Sequence, residues 1–287
     1  MDMRLFEYFL VIAREENISK AANILHVSQP TLSRQIMQLE EELGKPLFIR
    51  GSRNLQLTNE GYIFKQRAEE MVTLANKIKQ EINSENADLV GDIYIGATGI
   101  DTFDEVAKVI SKFHTKYPKV HFHIKTYDSD QIIDLIHQGV IDFGFVVEPV
   151  HIENLHYKRY STDLCWGLLV KEDSPLATKT SIQAHEFKGM DVIVTTRTEI
   201  VSELMHWFGD VYDTMNVVGT FNFVNNVIQL AKNDIGNIIC ISRKFYHERG
   251  MKFIPLEPTI YIRPILIWKK GIRSPLVKAF IEELNYS

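Results

Sequence analysis

Residues 58–88 contain no proline and a single glycine, Gly61, while Glu, Lys, Gln and Ala recur through them. A run of that composition holds a long helix. At ~1.5 Å per residue it extends about 40 Å, which suits a connector between separately folded parts. The 287 residues are therefore divided, and a chain of this length holds about two domains at the usual ~100 to 200 residues each. The flanks differ in pattern. Residues 1–58 read as short helices followed by a tight hairpin, whereas beyond Gly91 short β-rich runs alternate with helical stretches.

In the downstream flank, residues 93–97 read as a strand, 103–116 as a helix, and 120–127 as a strand in which Val120, Phe122 and Ile124 alternate with His121, His123 and Lys125. A helix over 130–138 stops at Gly139, and 141–147 is another apolar strand. This βαβαβ series predicts a parallel sheet with helices on its faces. A second series follows, with strands near 165–170, 192–196, 217–221 and 238–241. Residues 260–268 are strand-like and 275–284 helical, so the last segment can cross back to the first sheet. Two α/β lobes joined by crossing strands bind a ligand in the cleft between them.

Upstream, Ile18, Ala21, Ala22 and Leu25 share one helical face, with Asn17 or Ser19 available as a cap. His26 and Val27 make a short turn. Ser28 can cap the next helix and Pro30 sits in its first turn, where no N–H is needed; Leu32, Ile36, Leu39 and Leu43 form its apolar stripe, and Gly44 and Pro46 end it. Gln29, Thr31, Ser33, Arg34 and Gln38 point away from that stripe. Such a pair of helices around a tight turn suits the major groove of DNA, the alternative being a small structural helical hairpin. Residues 47–50, a turn over 51–54 and residues 55–57 read as a wing, on which Lys45, Arg50 and Arg53 supply positive charge for phosphates. The charge sum resists this reading: residues 1–60 hold seven Lys or Arg and eight Asp or Glu. Glu40, Glu41 and Glu42, however, lie at the far end of the second helix.

The run from Ser19 to Ile36 (SKAANILHVSQPTLSRQI), continued by Leu39, Glu40, Leu43, Gly44, Pro46, Leu47, Phe48, Arg50, Leu57, Thr58 and Gly61, resembles the DNA-binding segment of LysR-type transcriptional regulators. The order that follows is also similar to that family. The resemblance implies an all-α winged helix-turn-helix over residues 1–58, a linker and dimerisation helix over 59–90, and an α/β two-lobed effector-binding domain of the periplasmic-binding-protein type (type II) over 91–287. Lobe I would take about 91–162 and 266–287, and lobe II about 163–265. The implied function is sequence-specific regulation of transcription, modulated by a small molecule bound between the lobes. The implied partners are double-stranded operator DNA and further copies of the chain, as a homodimer or a homotetramer built from dimers, with RNA polymerase a further candidate. By this resemblance Gln29, Ser33 and Arg34 reach base edges or nearby phosphates, Thr31 and Gln38 make lesser contacts beside Pro30, and Arg50 and Arg53 meet the backbone. The chemistry agrees, since Arg pairs bidentately with guanine and Gln with adenine.

Along the long helix Phe64, Ala68, Met71, Ala75, Ile78 and Ile82 recur at spacings of 4, 3, 4, 3 and 4. Two such helices can pack along this seam, which suits a dimer reading two half-sites. The other reading, in which Val72 and Leu74 broaden the stripe, packs it on the chain's own wing and regulatory domain.

In the regulatory region Thr98, Gly99, Ile100, Asp101 and Thr102 stand between a strand and the next helix, where N–H groups and hydroxyls can bind an anion. Family resemblance puts part of the effector site there, faced by Thr195, Thr196 and Arg197 and by Asn222 and Asn225 at another helix start, with Arg197 as the anion partner. Each threonine serves equally well as an ordinary cap. Asp101, Asp104 and Glu105 place negative charge in the first turn and leave a neutral, amphiphilic or amino-bearing effector open.

His121 and His123 share a strand face without an identifiable third ligand, so no metal site is expected. Cys165 and Cys240 sit in apolar runs as buried, inert thiols and lack a C-x-x-C spacing, in keeping with a reducing compartment. No G-x-S-x-G, P-loop or G-x-G-x-x-G follows a strand, so neither an enzyme nor a cofactor is expected. The net charge of −5 gives no bulk attraction to nucleic acid. No stretch approaches the ~18 apolar residues that span a bilayer, and a cytoplasmic location is expected.

Overall fold

The computed structural model describes residues 2–49, 55–83, 89–99, 103–160, 164–271 and 273–286. They form two compact units, Met1–Asn86 and Ala87–Ser287. Among the described residues no helix is long and apolar enough to cross a membrane.

The first unit begins with α1 (Met3–Glu15), α2 (Ile18–Ile24) and α3 (Gln29–Leu43). The cap residues act as expected: Asn17 accepts from the Lys20 N–H at 3.0 Å, and Ser28 Oγ from that of Thr31 at 3.3 Å. Pro30 lies in the first turn of α3, and Gly44 ends that helix at φ 66°, where a side chain would be strained. Leu32, Ile36 and Leu39 turn inward against Phe9 and Ile12 of α1, so the periodic stripe is the core face.

Strands β1 (Phe48–Ile49) and β2 (Gln56–Leu57) pair antiparallel as the base of the wing. Glu40 anchors it, its Oε1 accepting from the N–H groups of Leu47 at 2.8 Å and Phe48 at 3.1 Å. Thr58 Oγ1 donates to the Pro46 carbonyl and accepts from the Gly61 N–H, fixing the start of α4 (Asn59–Asn83). Gly61 passes so close to the wing that a Cβ would lie 2.2 Å from the Leu47 oxygen. Here the expected seam divides. Phe64 stacks on Phe6 and meets Phe9 edge-on, and Ala68 is fully buried in the same cluster, so both belong to the unit's own core. Met71, Ile78 and Ile82 remain exposed, joined by Leu74, while Ala75 is half-buried.

The second unit contains two sheets. The strands and helices of its first part are β3 (Gly91–Ala97), α5 (Asp104–Lys116), β4 (Val120–Thr126), α6 (Ser129–His137), β5 (Phe143–Val147) and β6 (Leu155–Arg159). Then follow β7 (Leu164–Lys171), β8 (Ile182–Gln183), β9 (Asp191–Thr195), α7 (Thr198–Phe208), β10 (Asn216–Phe221), α8 (Ile228–Lys232), β11 (Asn237–Ile241), β12 (Met251–Glu257) and β13 (Tyr261–Ile262). The chain ends with β14 (Pro264–Lys269) and α9 (Pro275–Tyr286). Lobe I is the five-stranded sheet β4-β3-β5-β14-β6, and lobe II the path β10-β9-β11-β7-β12-β8 with β13 also on β7.

The expected parallel pairing holds for β3 with β4 and β5, but β14 runs antiparallel to β5 and β6. Lobe II is likewise mixed, with β7 antiparallel to β11 and β12. The single strand expected over 260–268 is two: β13 pairs with β7 of lobe II, and after Arg263 the strand β14 enters lobe I. The chain crosses between lobes here and between β6 and β7, which places the ends of β3, β5, β9 and β11 on a shared cleft.

Candidate DNA-reading face and ligand cavity

On α3 the side chains of Gln29, Pro30, Thr31, Arg34 and Gln38 are exposed, and Ser33 is half-buried. The Thr31 hydroxyl lies 2.7 Å from that of Ser28, so part of its capacity serves the helix start. Arg34 makes no hydrogen bond or ion pair among the described residues, which leaves its guanidinium available for a bidentate contact. Of the acidic run at the end of α3, Glu40 does not oppose this, because it is turned onto the wing backbone. Arg50 and Arg53, expected on phosphates, lie outside the described residues, as do Ile100 and Thr102 of the expected effector site.

In the second unit the strand ends repeat one device. Beyond β3, the N–H and Oγ1 of Thr98 both donate to the Phe145 carbonyl, at 2.9 and 3.2 Å. Beyond β9, those of Thr196 both donate to the Phe221 carbonyl, at 2.9 and 3.4 Å. The two threonines thus close strand ends instead of presenting unpaired donors to a ligand, contrary to the expectation from sequence. The Arg197 N–H donates to Thr195 Oγ1 at 3.3 Å. Its guanidinium crosses to lobe I, donating to the carbonyls of Val147 at 3.2 Å and Pro149 at 2.5 Å.

A cavity of about 180 Å³ lies between the lobes. Thr98, Gly99, Thr195, Thr196, Arg197 and Asn222 line it together, whereas Asn225 is exposed and does not. Sequence reasoning missed Asp128, Ser129 and Trp166 in the lining. Asp128 carries a signal that was available, as the cap that accepts from the Gln131 N–H at 2.9 Å where α6 begins. Trp166 carries none, being one apolar residue among many on β7.

Cys240 also lines the cavity. It lies opposite Gly167 on the neighbouring strand, and Cys165 bonds through its carbonyl to the Ser242 N–H, so the two thiols are diagonal neighbours across β7 and β11. Both are free. Burial pushes the Cys240 thiol up to about 12 and that of Cys165 upward as well, so both remain protonated and unreactive near neutrality. His123 bonds Asp92 at 2.8 Å and stacks on Tyr94, while His121 stands 4.0 Å from the same carboxylate. Among the described residues no group of three acids, histidines or cysteines is placed to hold a metal.

Two family models match the chain. The bacterial regulatory helix-turn-helix protein of the LysR family covers residues 3–62, and the LysR substrate binding domain covers residues 86–286. A probable cat1 operon transcriptional activator of Acinetobacter lwoffii is 32% identical over 202 residues, or 68% of this chain and 64% of that protein. The HTH-type transcriptional regulator AlsR of Bacillus subtilis (strain 168) is 26% identical over 300 residues, 99% of this chain and 96% of that protein. In fold, the crystal structure of CbnR, a LysR family transcriptional regulator, superposes with a TM-score of 0.69 at 18% identity, covering 100% of this chain and 99% of that one. The chain belongs to the LysR family: it is a DNA-binding transcriptional regulator, not an enzyme, in which a winged helix-turn-helix precedes a two-lobed substrate-binding domain.

Proposed function

We propose that residues 1–58 read an operator through Gln29, Ser33 and Arg34, that residues 59–90 join two copies, and that residues 91–287 sense a small molecule in the interlobe cavity. The observation that carries the DNA assignment is the exposed face of α3, on which Arg34 engages nothing among the described residues. Thr31 and Gln38 flank it for phosphate or edge contacts, and Arg50 and Arg53 extend the same role to the wing. The exposed stripe of Met71, Leu74, Ile78 and Ile82 supports pairing of two α4 helices. The effector assignment rests on a cavity at the strand ends of two lobes, the place where open α/β sheets bind ligands. Binding there alters DNA recognition by favouring one arrangement of lobes or subunits over another. The protein acts in the cytoplasm, where DNA is found.

Footprinting of the purified chain on promoter fragments tests the reading. A protected site with two half-sites about 10 base pairs or a multiple apart is expected. Arg34→Ala should lose about 1 to 3 kcal/mol of operator affinity while its circular dichroism and melting stay those of the parent. Unchanged affinity removes α3 from the groove.

A further inference from the structure

We propose that the interlobe cavity takes a zwitterion, a compact α-amino acid with an apolar side chain, whose ammonium meets lobe I and whose carboxylate meets lobe II. This rests on the reading of the cavity as the effector site and adds the class of effector. The starts of two helices line the cavity, α6 of lobe I with Asp128, Ser129 and Asp130, and α7 of lobe II with Thr196 and Arg197. The two starts differ in their caps. The Asp128 carboxylate already caps α6, its Oδ1 accepting from the Gln131 N–H at 2.9 Å. At the start of α7, Arg197 holds the N-cap position and gives no side-chain cap. A ligand carboxylate can therefore supply to the positive end of α7 what Asp128 supplies to α6.

The charged residues of the described lining are separated by sign in the same sense. Both acids, Asp128 and Asp130, stand on lobe I, and both bases, Arg197 and Arg243, are rooted on lobe II. The Arg197 guanidinium reaches the Val147 and Pro149 carbonyls, and a guanidinium held by neutral carbonyls keeps its charge. On the opposite wall Asp128 uses one carboxylate oxygen for its cap, and the other meets no partner among the described residues. Beside it Ser129 is only 2% exposed, and its hydroxyl likewise meets none. These two oxygens are acceptors for an ammonium. Trp166, Ile200, Phe221, Val224 and Ile241 supply an apolar wall for the side chain. The separation of sign, not its sum, selects the ligand. A simple carboxylate satisfies the α7 side and brings nothing to Asp128, and a simple amine does the reverse, whereas an amino acid answers both walls at once. It also ties one lobe to the other, which is a contact that favours one arrangement of the lobes. The volume of about 180 Å³ accommodates a molecule of this size.

Calorimetric titration of the full chain at neutral pH tests this with L-leucine and L-phenylalanine, each beside its two halves. Isocaproate and hydrocinnamate lack the amine, and isoamylamine and phenethylamine lack the carboxylate. At least one of the amino acids is expected to bind at least about tenfold more tightly than either of its halves. Asp128→Asn keeps the cap, since Asn caps a helix as well as Asp, and removes the charge. It should weaken that amino acid by about tenfold and leave its carboxylate half unchanged, and Ser129→Ala should weaken the amino acid by up to about tenfold. Melting of both variants beside the parent establishes that they fold. If one half binds as tightly as its amino acid and Ser129→Ala weakens it, the cavity is the ligand site but the preference for a zwitterion is wrong. If an amino acid binds the parent and both variants equally, the ligand site lies elsewhere and the effector assignment falls as well. Failure of both amino acids to bind at millimolar concentration overturns the proposal.

Discussion

Removing the Glu40 carboxylate should loosen the wing more than any other single change in the acidic run at the end of α3. Its Oε1 accepts from two backbone donors, Leu47 N at 2.8 Å and Phe48 N at 3.1 Å, on residues whose side chains are buried. A hydrogen bond to a charged acceptor contributes about 1.5 to 3 kcal/mol, and an orphaned buried donor costs a similar amount. Glu40 is half-buried and the two bonds share one oxygen, so about 2 kcal/mol is the expected loss for Glu40→Ala. For a unit of this size that lowers the melting temperature of the N-terminal unit by about 10 °C. Glu40→Gln keeps the acceptor without its charge and should lose about half as much. Exposed Glu41 is the control, and Glu41→Ala should stay within about 0.5 kcal/mol of the parent. Amide hydrogen exchange reads the effect locally: protection at Leu47 and Phe48 should fall in Glu40→Ala and stay in Glu41→Ala. Parent-like protection at both amides in Glu40→Ala refutes the anchoring role.

Two positions on α4 should separate assembly from folding: Ile78→Glu, on the exposed side, weakens dimers in light scattering while melting is kept, whereas Ala68→Glu buries a charge in the core and unfolds the N-terminal unit. Equal oligomer size for Ile78→Glu and the parent removes α4 from the interface. Arg197→Ala removes two bonds between lobes and should cost the second unit about 1 to 3 kcal/mol of stability, seen as a lower melting point, with operator affinity in gel-shift titration unchanged; parent-like melting shows that the bridge contributes nothing. Burial raises the Cys240 thiol from 9.0 to about 12 in the folded chain, so its contribution to stability is full below pH 9 and declines as pH climbs towards 12. Urea midpoints should therefore fall over that range more steeply for the parent than for Cys240→Ala; identical slopes contradict the burial of this thiol.

Local chemistry was readable where one residue type does one job. Asn17, Ser28, Pro30 and Gly44 mark helix ends by their caps and dihedral needs, and all four stand where those needs place them. Periodicity showed that α4 has an apolar side but not what covers it, so Phe64 and Ala68, which pack on α1, read the same as Ile78 and Ile82, which are exposed. Strand β6 was missed because Leu155–Arg159 is mostly polar, as an edge strand can be. The boundary inside residues 260–268 was missed because both halves are apolar and only the pairing partner changes at Arg263. At the cavity, residue types pointed to turns that share one lining, since Thr98, Thr195, Thr196 and Arg197 meet there. Whether a hydroxyl or guanidinium is already engaged depends on carbonyls 25 to 50 positions away in sequence, such as Phe221 for Thr196 and Val147 for Arg197.

The position of β14 sets an order on synthesis. It sits between β5 and β6, buried along nearly its whole length, yet it is made more than 100 residues after either of them. While the ribosome is still translating lobe II, β5 and β6 of lobe I each have an open edge waiting for a strand that does not yet exist, and such edges invite mispairing with other chains. The helical N-terminal unit, with its local contacts, can fold as it emerges, but lobe I closes only at the end. A premature stop between β13 and the first residues of β14 would therefore release a chain able to fold its DNA-reading helices, with the first sheet still split in two and prone to aggregate.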